Sequence, residues 1–138
     1  MKKIKLVLIL IIFITGGILL NIYFNTILMP AWRSYVCVCI PGQQEKLAEK
    51  GFVVAGEVNV SYNTTGEINI NMNILRESKS TIKHELCHVK QANRYLHIVR
   101  FDCSNPVRKY FSEVECYMAQ TYPDSIYKVL YGDFEDFE

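Results

Sequence analysis

The chain has 138 residues, half of them apolar, and its 15 Lys and Arg nearly balance 14 Asp and Glu. That length holds one modest domain, and without a clustered basic patch there is no electrostatic footprint for nucleic acid, which is therefore not expected as a partner. Five cysteines leave at least one thiol unpaired within a single copy.

Lys2, Lys3 and Lys5 open the chain, and an apolar run from Leu6 to Leu20 follows, broken only by Thr15, Gly16 and Gly17; apolar residues resume through Ile22, Tyr23, Phe24, Ile27, Leu28 and Met29. About twenty residues of helix cross a hydrocarbon core, so residues 1–33 read as an N-terminal transmembrane helix, with Tyr23 and Trp32 as interfacial anchors and Pro30 as its end. A cleaved signal segment shares the basic start and apolar centre and is the alternative, but the tract is long for one and lacks a small-residue exit. The lysines at the start, against Arg33 alone soon after the span, place the amino terminus in the cytoplasm. The domain over residues 34–138 is then expected outside it, either membrane-anchored or, in the alternative, secreted.

From Ser34 onward eleven Lys and Arg oppose fourteen Asp and Glu, a net charge of −3. About a hundred residues can close one core but leave little room for a second substrate-binding unit, which predicts a relatively open site. Cys37 and Cys39 lack the spacing of a zinc knuckle or redox pair and read as strand-like residues or disulfide donors. Gln43 to Lys50 is a short polar helix stopped by Gly51. Next comes a hairpin: Val58, Val60 and Tyr62 alternate on one strand, Asn63 to Gly66 turns, and Ile68, Ile70, Met72 and Ile74 alternate with Asn69, Asn71 and Asn73 on the other. The asparagines either keep one face of a half-covered sheet wet or face a substrate.

The most informative stretch is His84-Glu85-Leu86-Cys87-His88. Four residues apart on a helix, His84 and His88 project from one face and can bind one ion, while Glu85 can serve as general base. Ser78 or Ser80 supplies an N-cap, and Ile82, Leu86, Val89 and Leu96 form a second, buried face. Cys87, inside this helix, reads as a small packing residue. An accidental arrangement on a solvated helix face is the plain alternative. A catalytic zinc needs a third protein ligand and an open position. The spacing that would supply another histidine downstream is absent, since those positions hold Gln91 and Arg94, and His97 lies too far along the same helix.

A second helix, Val107 to Ala119 after Pro106, carries Glu113 and Glu115. H-E-x-x-H followed by a glutamate helix resembles the gluzincin zinc metallopeptidases, including their minimal single-domain members, the minigluzincins. The resemblance covers roughly residues 78–120. Together with the amino-terminal membrane helix read from the apolar tract, it implies an α+β fold: that helix followed by a small zincin-like domain with a hairpin sheet, an active helix and a glutamate helix. It also implies Zn2+ held by His84, His88 and a glutamate, Glu85 as catalytic base, and a polypeptide substrate. In many such enzymes a small residue follows the ligand glutamate, which favours Glu115, before Cys116, over Glu113, before Val114. The two cannot serve together because residues two apart diverge by about 200°. The one left over would be solvated or would orient a ligand histidine. Several gluzincins place an aspartate four residues after the ligand glutamate for that orienting role; here position 119 is Ala and position 117 is Tyr.

Tyr95, Tyr110, Tyr117, Tyr122 and Tyr127 are candidates to stabilise an oxyanion. Two other functions stay open: a membrane-anchored zinc-binding interaction protein without catalysis, marked by a fourth ligand such as Cys103 or Cys116, and a metallohydrolase acting on something other than peptides. The acidic-aromatic tail from Tyr131 to Glu138 reads as peripheral.

Overall fold

A single long helix dominates the amino-terminal third. The computed structural model describes residues 2–52, 54–62, 68–76, 78–95 and 103–134, and in it α1 (Lys2–Tyr23), a π-helical turn (Phe24–Leu28) and α2 (Met29–Cys39) follow one another without a break. Pro30 was expected to end this segment and does not. A proline lacks the N–H of the helical ladder and its ring crowds the preceding turn, but the wider π turn just before it, closed by Met29 N–H to the Phe24 carbonyl, relieves that conflict. The division at residues 33 and 34 therefore falls inside α2, and Cys37 and Cys39 are helical rather than strand-like.

Beyond it, α3 (Gln43–Glu49) ends before Gly51, whose φ of 80° is open to glycine at no steric cost. Strands β1 (Gly56–Tyr62) and β2 (Ile68–Ile74) pair antiparallel in a 2-stranded sheet, with Val58 opposite Met72 and Asn59 opposite Asn71. This register keeps the apolar positions together. Val58, Ile70, Met72 and Ile74 are half-buried, whereas Glu57, Asn59, Asn71 and Asn73 are exposed, so those three asparagines lie on the wet face. The turn at Asn63 to Gly66 lies outside the described residues, as do Leu96 and His97.

Helix α4 (Lys79–Tyr95), which carries His84 to His88, packs on both strands and on α5 (Pro106–Ala119); α6 (Asp124–Tyr131) packs on α4. Ser78 Oγ caps α4 by accepting from Thr81 N–H at 3.1 Å, and Asn105 caps α5 by accepting from Arg108 N–H. Helix α5 is buried on two sides. Cys116 and Ala119 join Ile82, Cys87, Tyr127 and Phe134 in one core, while Val114 joins Ile27 and Ala31 in another, with Tyr23, Tyr110 and Met118 packed against it. The order across the molecule is thus α2, α5, α4, sheet. The mainly helical outline with one small sheet agrees with α+β.

Lys83 is buried, but its ammonium reaches the Tyr122 carbonyl at 2.9 Å and Asp124 at 2.7 Å, tying α4 to the start of α6. Phe134 is fully buried, which corrects the expectation of a peripheral tail as far as that residue: its ring packs edge-on to Tyr127 and leaves the chain end no freedom there. Two disulfides form, Cys39–Cys103 and Cys87–Cys116, and Cys37 is the free thiol. Cys87 is therefore a cross-link rather than a packing residue; antiparallel α4 and α5 bring its Cα to 5.4 Å from that of Cys116, within bridging range. With its cysteines 29 positions apart in sequence, that bridge should contribute about 3–4 kcal/mol by restricting the unfolded chain. Replacing both cysteines with alanine should lower the denaturant midpoint accordingly.

Candidate metal centre

His84 and His88 turn their Nε2 atoms toward each other, 3.2 Å apart, and Oε2 of Glu113 lies 3.4 Å from each. These three side chains form a His-His-Glu group that could hold a metal ion. The spacing itself is informative. Donors bound at about 2.0–2.1 Å around a tetrahedral ion stand roughly 3.3–3.4 Å apart. One cation at the centre of the group could accept a lone pair from all three at once. The residues present therefore fit a metal.

Glu113 is fixed from two helices. Lys109 Nζ, one turn earlier on α5, donates to its Oε1 at 2.7 Å, and Ser34 Oγ of α2 donates to its Oε2 at 2.9 Å. Burial alone would raise its pKa, but the charge of His88, hydrogen bonds from both histidines and Lys109 outweigh it and hold the carboxyl well below its ordinary value.

Glu115, the preferred ligand from sequence, does not meet the histidines. Its Oε2 accepts from Gln91 Nε2 at 2.8 Å and its Oε1 accepts from Tyr131 OH at 3.1 Å. The cause is the Cys87–Cys116 bridge, which sets the rotation of α5: with Cys116 held toward α4, Glu113 lies about 60° to one side and Glu115 about 100° to the other. Glu115 nevertheless serves the site at one remove. Gln91 Nε2 also donates to the Ser112 carbonyl at 3.2 Å, so its amide nitrogen faces two acceptors and its Oε1 must be the atom 3.0 Å from His88 Nδ1. The proton of His88 is thereby held on Nδ1, leaving Nε2 as a donor to a cation. His84 has no counterpart; its buried Nδ1 lacks a hydrogen-bond partner among the described residues.

Glu85 is buried beside this group, and burial, partly offset by the His84 charge, lifts its pKa to about 7. Room for it comes from Gly56 at the start of β1: a Cβ there would stand 2.7 Å from Glu85 Cγ and 2.9 Å from its Oε1. Glycine is required for this close approach rather than for its backbone angles. The strand that touches the motif glutamate is thus β1.

Among the tyrosines, Tyr117 is at the site: its ring packs against His84 at 4.4 Å between centroids, with the Ser34 side chain close to its hydroxyl. Burial raises its pKa, so it remains a neutral donor. Tyr110 packs on Trp32, Tyr127 donates to the Lys83 carbonyl, and Tyr122 lies against the core under α6. The side chain of Tyr95 lies outside the described residues.

The expected open site is instead recessed, because α2 and Tyr117 cover Glu113 and His84. Cys103 and Cys116, the fourth donors that would close a structural zinc site, are both taken up in disulfides. Sequence reasoning missed Ser34, Gln91 and Lys109. Of these only Lys109 carried a signal, its i,i+4 spacing to Glu113. No protein-family model matches the chain, and neither a curated protein nor a solved structure is significantly similar to it.

Proposed function

We propose that this chain is a membrane-anchored zinc metallopeptidase whose metal is held by His84, His88 and Glu113. The observation that carries this reading is the triangle of donor atoms, 3.2 to 3.4 Å on a side, with a buried carboxylate one residue after the first histidine. Zinc, when bound, supplies Lewis-acid polarisation of a carbonyl and acidifies a water.

The remaining work falls to side chains. Glu85, with its pKa near 7, accepts a proton from the attacking water and returns it to the leaving amine. Gln91 and Glu115 hold His88 in the tautomer that presents Nε2. Tyr117, whose ring packs against His84, is the tyrosine best placed to meet developing negative charge. The start of β1 beside Glu85 offers a strand against which an extended peptide can lie.

Two features favour an anchored domain on an oxidising side of the membrane. Tyr23, Ile27, Ala31 and Ser34 of the long helix pack on α5, so cleaving it away would strip one of the two cores. The two disulfides suit an extracytoplasmic compartment.

The purified full-length chain should carry about one zinc per copy and cleave an unstructured polypeptide. Elemental analysis that finds no metal after zinc supplementation would defeat the reading. A sharper check is Gly56→Ala, whose new methyl meets Glu85 first. Zinc content should be unchanged while cleavage slows at least about tenfold, since displacements near 1 Å at a reacting group cost that much or more.

A further inference from the structure

The long helix sets the height of the metal group above the membrane. Every large apolar side chain from Ile4 to Ile22 is more than half exposed. The first residue of the helix to gain a distant protein partner is Tyr23, whose hydroxyl meets Met118 Sδ at 3.8 Å; Ile27, Ala31 and Ser34 then pack on α5. The bare part, about twenty residues, matches one hydrocarbon thickness, so the domain begins where the span ends, with no stalk between them.

Ser34 bonds directly to the Glu113 oxygen that faces the histidines. It lies eleven residues beyond Tyr23, which at the helical rise is about 16 Å. An extended polypeptide covers that distance in roughly five residues. The unbroken helix between Tyr23 and Ser34 and the Cys39–Cys103 bridge to the segment before α5 hold the spacing fixed. A site at fixed low height discriminates among substrates by position: a chain anchored in the same bilayer presents its first few residues outside the span at high effective concentration.

We infer that the substrate is the juxtamembrane segment of another membrane-anchored polypeptide, cut about five to ten residues from its span. This rests on the peptidase reading. The step is hydrolysis: the oxygen of water bonds to the amide carbonyl carbon, the C–N bond breaks, and the amine leaves carrying a proton.

The test reconstitutes the full chain in vesicles with a single-span polypeptide bearing about 40 residues of unstructured, mixed-sequence chain on the same side, and compares it with that segment as a free peptide. Cleavage sites are mapped by mass spectrometry, and Glu85→Gln serves as the blank. Cuts should fall within about ten residues of the span, and the anchored segment should be consumed at least about tenfold faster than the free one at equal bulk concentration. Cuts spread evenly along the segment, or equal rates for the free peptide, overturn the inference and leave the peptidase reading standing. Absence of cleavage in both substrates with zinc bound overturns both.

Discussion

Glu85→Gln should retain zinc and lose at least about a hundredfold in peptide cleavage, the lower end of what a positioned general base supplies. The substitution keeps the shape of a buried side chain that is wedged against Gly56, so the fold has little reason to change. It removes only the capacity to take up a proton. Glu85 is not one of the three clustered donors, and metal content should therefore match the wild type. Zinc content and turnover measured on the same samples separate the two roles. Cleavage at the wild-type rate by the Gln variant would remove the peptidase mechanism altogether, because no other described carboxylate has been found in a comparable position beside the histidines: Glu113 is bound up with Ser34 and Lys109, and Glu115 with Gln91 and Tyr131.

Much of this arrangement was legible from local patterns, and what was not depended on contacts between distant segments. Helical spacing put His84 and His88 on one face and period-two alternation placed the hairpin, since both follow from backbone geometry alone. Pro30 gives a false stop signal because a proline normally ends or kinks a helix, and the π turn that absorbs it has no strong sequence mark. The pairing of Cys87 with Cys116 was equally hidden, as five cysteines permit many partners. That omission propagated. Once the bridge clocks α5, it is Glu113 that reaches the histidines, and a choice between glutamates made from the residue that follows each one had no access to this constraint. Ser34 belongs to the site only because the long amino-terminal helix runs on beyond its apolar tract and lies along α5, a tertiary fact that no local window contains.

The two glutamates should separate cleanly when each is neutralised. Glu113→Gln removes the anionic donor 3.4 Å from both histidine nitrogens and leaves Lys109, whose ammonium sits 2.7 Å from the lost carboxylate, facing a neutral amide beside the metal. Both effects act against a bound cation, so zinc retention should fall by at least about tenfold to a hundredfold, and cleavage with it. Glu115→Gln leaves all three donors in place. Its amide can still accept from Gln91 or from Tyr131, though it loses the charge that strengthens those bonds, so His88 is held less firmly and affinity should drop only severalfold. Gln91→Leu should resemble Glu115→Gln or exceed it, because it takes away the acceptor at His88 Nδ1 itself. Competition against a chelator of known affinity orders the three variants on one scale. If Glu115→Gln strips the metal while Glu113→Gln keeps it, the ligand set is His84, His88 and Glu115, and the rotation of α5 fixed by Cys87 and Cys116 is not the one the working site uses.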